Sequence, residues 1–158
     1  MNFIKVIALA AMLIFPIAAK ADCLVLGDSI AVGISTEMPS CRSISRVGIT
    51  SQTFSRNMQS DIISNNVVIS LGANDTLDNY HSLFSIRSRI VADRVVWVLP
   101  LRAKEGSNYS NNILNLVSFF GDSIVNSRPF TNGRDIHPQN RERYSALARE
   151  VESKWLTP

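Results

Sequence analysis

Glycine closes three of the β-branched runs in this chain, and a polar residue or a turn follows each time. The runs are Cys23–Gly27 (CLVLG), Ile44–Gly48 (ISRVG) and Val67–Gly72 (VVISLG). Val95–Pro100 (VVWVLP) is a fourth strand candidate and Ser123–Asn126 (SIVN) a fifth. The strongest runs are continuously apolar, as expected of strands buried on both faces. Helical patterns separate them at about Ile30–Thr36, Ser51–Ile63, Tyr80–Ile90 and Asn108–Phe120. A last helix is predicted over Pro138–Lys154, with Tyr144, Leu147, Ala148 and Val151 at helical spacing. Strand–helix alternation of this kind predicts an α/β domain with a parallel sheet covered on both faces. In such sheets a functional site lies beyond the carboxyl ends of the strands. That singles out Gly27-Asp28-Ser29, Gly48-Ile49-Thr50, Gly72-Ala73-Asn74-Asp75 and Pro100-Leu101-Arg102.

The full chain of 158 residues has a net charge of +3. Its first 21 residues, MNFIKVIALAAMLIFPIAAKA, have the parts of a secretory signal: Lys5, an apolar run, and a small-x-small ending at Ala19-Lys20-Ala21. The apolar run is shorter than the roughly 20 residues of a membrane span. Cleavage after Ala21 leaves residues 22–158 as a single domain with no stable membrane span. Removing Lys5 and Lys20 from the 16 basic residues leaves 14 against 13 acidic ones, a net charge of +1. No Lys/Arg cluster with interleaved aromatics remains, which excludes nucleic acid as the expected partner. The form of the signal suggests bacterial export, to the periplasm or beyond the cell. Oligomeric state is left open.

Export makes the two cysteines, Cys23 and Cys41, a disulfide candidate. Each precedes or begins a strand, so a bridge belongs at the rim opposite the site. With no other cysteine and only His81 and His137, no metal site is expected.

Ser29 stands where a strand becomes a helix. Free backbone N–H groups and the helix dipole favour negative charge there, as a nucleophile that generates an oxyanion requires. Gly48 can bring a bare N–H to a substrate, and Asn74 offers an amide donor. Asp135-Ile136-His137-Pro138 supplies a base and a carboxylate to orient it. Singly, each element has a plain structural explanation in turn or capping chemistry. Together they occur in order at the strand ends of one small domain. Asp28 and Asp75 are expected to brace their turns. His81 is expected to be structural or to line a substrate. Arg102 and Lys104 either meet an anionic group or are solvated. Asn74-Asp75-Thr76 and Asn108-Tyr109-Ser110 match glycosylation sequons.

These four blocks resemble the SGNH hydrolases, the GDSL esterase/lipase superfamily. Val25-Leu26-Gly27-Asp28-Ser29-Ile30, Gly48, Gly72-Ala73-Asn74-Asp75 and Asp135-Ile136-His137-Pro138 match in turn, across nearly all of residues 22–158. The resemblance implies a three-layer α/β/α flavodoxin-like fold with five parallel strands. It implies Ser29 as nucleophile, His137 as general base and acid, and Asp135 as its orienting carboxylate. Ser29 N–H, Gly48 N–H and the Asn74 amide would form the oxyanion hole, with no cofactor. One departure stands out. The family's Asp is usually three residues before the His, where this chain has Arg134; Asp135 is two before. Either Asp135 or a backbone carbonyl then faces His137 Nδ1.

The expected activity is an exported serine esterase acting on small acyl esters, O-acetyl groups on an envelope or extracellular glycan. Short connections, no lid-sized insertion and no evident apolar stripe favour the small acyl group. A lysophospholipase- or thioesterase-like enzyme of the same family is the alternative. A non-catalytic carbohydrate-binding or envelope-assembly module is the second.

Overall fold

A computed structural model describes residues 22–76, 79–101 and 109–156. Five strands are present: β1 (Cys23–Gly27), β2 (Arg42–Ser45), β3 (Ile62–Ser70), β4 (Ile90–Leu99) and β5 (Ser123–Asn126). The α-helices among the described residues are α1 (Ser29–Glu37), α2 (Ser51–Asn57), α3 (Tyr80–Ser88), α4 (Tyr109–Phe120) and α5 (Arg141–Leu156). The strands form one sheet in the order β2-β1-β3-β4-β5, and every pairing is parallel.

Alternate residues of the central strands feed two cores. Leu24, Leu26, Val67, Ile69, Val95 and Trp97 point to one face, where Phe54 of α2, Leu83 and Ile86 of α3, and Ile113 and Leu116 of α4 cover them. Val25, Val68, Val96, Val98 and Val125 point to the other, under Ile30, Ala31 and Ile34 of α1 and Leu147, Ala148 and Val151 of α5. The result is a three-layer α/β/α sandwich. Burial on both faces explains why β3 and β4 read as continuous apolar runs.

Several boundaries differ from the sequence expectation. The second strand is Arg42–Ser45, not Ile44–Gly48. It is an edge strand in register with Leu24–Gly27, and Arg42, Ser43 and Ile44 are exposed, so no apolar run marks it. The helix expected over Ser51–Ile63 ends at Asn57. Ile62 and Ile63 instead start β3, pairing with Ile90 and Val91. That same pairing takes Ile90 from the helix expected over Tyr80–Ile90. α5 begins at Arg141, three residues past Pro138, where the Asn140 side chain accepts the Arg143 N–H at 3.0 Å. This is the contact of a helix N-cap.

Cys23 and Cys41 form a disulfide. It joins the start of β1 to the residue before β2, the rim away from the strand ends that carry Asp28, Gly48 and Asn74. No helix among the described residues is long and apolar enough to cross a membrane. The signal-like segment 1–21, Arg102, Lys104 and Asn108 lie outside the described residues.

Candidate active site

Gly27 ends β1 with φ of 137°, and a Cβ there would fall 1.8 Å from the Ser70 carbonyl oxygen. Only glycine lets β1 pass this close to the end of β3. The Asp28 N–H then donates to that carbonyl at 2.8 Å. Asp28 caps α1: its Oδ1 accepts the Ile30 N–H at 3.0 Å and the Ser70 hydroxyl at 3.2 Å. Both ends of the β1–α1 turn are thereby held, and Ser29 becomes the first residue of α1.

Asp28 is fully buried, and its Oδ2 has no hydrogen-bond partner among the described residues. Burial pushes its carboxyl up to about 6, against the opposing effects of the Ile30 N–H, the Ser70 hydroxyl and the charge of His137. The carboxylate thus belongs to the brace of the turn, while its charge bears on the site.

Ser29 Oγ lies 2.7 Å from His137 Nε2, although 108 residues separate them in sequence. His137 Nδ1 lies 3.0 Å from Asp135 Oδ1, and the same oxygen accepts the His137 backbone N–H at 3.1 Å. The departure at Arg134 therefore does not leave His137 without a carboxylate. Two residues suffice because Asp135 folds back on the loop, where Asn132 Oδ1 accepts the backbone N–H groups of both Arg134 and Asp135. The His137 N–H, followed by its side chain, holds the Asp135 carboxyl below the usual range. Ser29 is half-buried, whereas the His137 and Asp135 side chains are 37% and 60% exposed. The imidazole meets solvent on one side and the serine on the other.

Gly48 has φ of 75° and sits in the turn that carries β2 into α2. Arg46 N–H donates to the Gly27 carbonyl at 2.9 Å, so this turn is fastened to the end of β1. The Asn74 amide donates to the Ile49 carbonyl at 3.2 Å, fastening the loop after β3 to the same turn. One Asn74 amide hydrogen is used in this contact and the second is left over. Among the described residues, the Ser29 and Gly48 N–H groups make no hydrogen bond. The segments that carry Ser29, Gly48 and Asn74 at three strand ends are thus fastened to one another, by one backbone hydrogen bond and by the Asn74 side chain.

Asp75 is buried and braces α2, as expected: it accepts the Ser51 N–H at 2.8 Å, the Ser51 hydroxyl at 2.6 Å and the Asn79 amide. Asn112 of α4 donates to Asn79 Oδ1 at 2.7 Å. Ser51, Asn79 and Asn112 escape sequence reasoning, since nothing in their spacing announces a network that joins the starts of α2 and α3 to α4. Tyr144, placed by its spacing on the last helix, packs its ring where a Gly33 Cβ would lie, a contact that spacing alone does not show. Burial first, then the charges of Asp28 and Asp135, push the Tyr144 hydroxyl up to about 12. His81 is exposed on α3, its ring edge-on to Tyr80. Among the described residues no group of three or more His, Cys, Asp or Glu could hold a metal ion.

An apolar groove of about 360 Å³ also opens beside β2. Ile44, Ile49, Phe54, Met58 and Ile62 line it. They come from two strands, a turn and a helix, so no stripe in the sequence betrays it.

No protein-family model matches the sequence, and no curated protein matches it. Solved structures do. The C-terminal catalytic domain of peptidoglycan O-acetyltransferase A from Streptococcus pneumoniae is 16% identical, with a TM-score of 0.53 over 86% of this chain and 90% of that one. A carbohydrate acetylesterase from Sinorhizobium meliloti is 13% identical, with a TM-score of 0.57 over 87% of this chain and 99% of that one. A GDSL-like lipase from Bacteroides thetaiotaomicron is 18% identical, with a TM-score of 0.55 over 84% and 88%. At these identities the likeness is one of fold: the chain has the fold of the GDSL/SGNH esterases and lipases.

Proposed function

We propose that the chain is a serine hydrolase of carboxylic esters, and that Ser29, His137 and Asp135 are its catalytic triad. The observation that carries this reading is the contact of Ser29 Oγ with His137 Nε2 at 2.7 Å, at the first residue of a helix. His137 Nε2 takes the Ser29 proton as Oγ bonds to the ester carbonyl carbon. Negative charge gathers on the carbonyl oxygen, facing the Ser29 and Gly48 N–H groups and the free Asn74 amide hydrogen. His137 then gives its proton to the alcohol oxygen as that C–O bond breaks. Water enters, loses a proton to His137, and frees the acid from Ser29 by the same steps reversed. Asp135 keeps the Nδ1 proton in place and offsets the imidazolium charge. No step calls for a metal or an organic cofactor.

The substrate we infer is a short acyl ester, an O-acetyl group on an envelope or extracellular glycan. An accessible His137 with water at hand suits a small ester, and two neighbours in fold act on acetyl groups of carbohydrate or peptidoglycan by name. Residues 1–21 are proposed to be removed on export, leaving 22–158 as the catalytic domain in the periplasm or outside the cell. A disulfide fits that setting.

The apolar groove at Ile44, Ile49 and Phe54 favours a second reading, a lipolytic enzyme whose acyl chain lies there. Hydrolysis of p-nitrophenyl esters of increasing chain length separates the two. Highest kcat/KM on the acetate supports the first reading. A maximum at about eight carbons or more replaces it with the second. Activity that survives unchanged in Ser29→Ala defeats both.

A further inference from the structure

A polar cleft of about 110 Å³ lies between the start of α2 and the loop after β3. Thr50, Gln52, Asp75, Thr76, Asn79 and Ser82 line it. It shares no residue with the apolar groove. Thr50 directly follows Ile49, whose carbonyl holds the Asn74 amide, and Asp75 and Thr76 directly follow Asn74. Lining residues of the cleft therefore adjoin, in sequence, both partners of the contact that holds the proposed oxyanion donor.

Its floor is fixed and its charge is already engaged. Asp75 Oδ1 accepts the Ser51 N–H, and Oδ2 accepts the Ser51 hydroxyl and the Asn79 amide. Asn79 is held in turn by Asn112. An anion entering the cleft would approach a buried carboxylate. A cation would have to compete with three hydrogen-bond donors already on it. The walls differ from the floor. Gln52 and Thr76 are exposed and Ser82 is half-buried, and none of the three side chains makes a hydrogen bond among the described residues. Amides and hydroxyls both donate and accept, as the hydroxyls of a sugar do. The volume admits several water-sized groups, enough for the hydroxyl-bearing edge of one ring.

We propose that this cleft is the subsite for the alcohol side of the ester, and that it takes an uncharged polyhydroxylated ring. Among the described residues that line the cleft, none carries a positive charge to meet the phosphate of a phospholipid headgroup. This assignment rests on the esterase reading above, and names what the leaving alcohol is.

The test uses Gln52→Leu, Thr76→Val and Ser82→Val in the exported chain, each with its melting temperature measured against wild type. Two acetates with different alcohols are compared, an O-acetylated methyl glycoside and p-nitrophenyl acetate. The expected result is a fall in kcat/KM about tenfold larger on the glycoside than on the aryl ester, carried by KM, which corresponds to the roughly 1.4 kcal/mol of a hydrogen bond or two. Equal changes on both substrates, or none, overturn the subsite and leave the esterase reading standing. Calorimetric titration of Ser29→Ala with the deacetylated methyl glycoside gives a readout without turnover. Binding that weakens at least fivefold on adding Gln52→Leu supports the cleft as the place that takes the ring, whereas hydrolysis of neither acetate by wild type sinks the esterase reading and with it the alcohol-side assignment. Absent binding, with full hydrolysis of the glycoside acetate unaffected by the three variants, overturns the subsite.

Discussion

Asp135 Oδ1 touches His137 twice, at the ring Nδ1 and at the backbone N–H, 3.0 and 3.1 Å away. One carboxylate oxygen thus fixes both the position of the residue and the tautomer of its ring. The side chain is 60% exposed, and water weakens its field at the imidazole. Asp135→Asn is therefore expected to lower kcat by about 10- to 100-fold, well short of the roughly 10⁴-fold seen when a buried triad carboxylate is lost. The His137 contacts also keep Asp135 ionised below the usual carboxylate range. In a pH–rate profile the wild-type acid limb should then be set by a group other than Asp135. A limb that vanishes in Asp135→Asn would contradict this.

One Asn74 amide hydrogen is held by the Ile49 carbonyl, and the second is the oxyanion donor proposed above. Asn74→Ala should cost about 10²–10³ in kcat and leave KM nearly unchanged, because the donor acts on charge that develops only in the transition state. A rise in KM with kcat intact would make Asn74 a substrate-binding group instead.

Asp28 is buried, with one oxygen unpartnered among the described residues and a carboxyl pushed up to about 6 from the ordinary 3.8. A raised carboxyl pKa means that ionisation costs folded-state stability. The cost is absent below about 4, grows as pH rises toward 6, and is complete above it; it is on the order of 3 kcal/mol. Asp28→Asn keeps a capping oxygen without the charge. Its stability relative to wild type should rise between pH 4 and 6 and level off above, measured by urea unfolding across that range. A flat difference would show that the charge of Asp28 is compensated in the fold.

The Cys23–Cys41 bridge closes a loop with a sequence separation of 18, on the rim away from Ser29. Replacing both cysteines with alanine should lower unfolding free energy by about 3 kcal/mol in the chain-entropy model. Catalysis by the folded protein should change less than twofold at 25 °C. A large drop in kcat without unfolding would place the bridge in contact with the chemistry.

Much of this fold was readable because a doubly covered parallel strand must be apolar throughout. Cys23–Gly27 coincides with β1, and the apolar runs begun at Val67 and Val95 form the buried parts of β3 and β4. The misreadings cluster where that rule lapses. At the edge, β2 is exposed, so Arg42-Ser43-Ile44-Ser45 carries no apolar signal. Beyond the central sheet, Ile62–Ser64 pairs with the start of β4 and alternates between buried and exposed, which reads as a continuation of the preceding helix. The candidate site shows the same division. The residues proposed for the site after β1, β2 and β3 were legible, since a parallel sheet directs attention to its strand ends. The supports were not. Ser70, Ser51, Asn79 and Asn112 act through contacts that only the folded chain creates.

The central claim is that Ser29 Oγ becomes covalently acylated. The direct measurement is mass spectrometry of the protein quenched within seconds of mixing with p-nitrophenyl acetate, with the modified peptide mapped. We expect one acetyl group, on Ser29, absent in Ser29→Ala and slow to form in His137→Ala. Turnover with no acetyl on Ser29, or acetyl on another residue that persists in Ser29→Ala, would contradict the account.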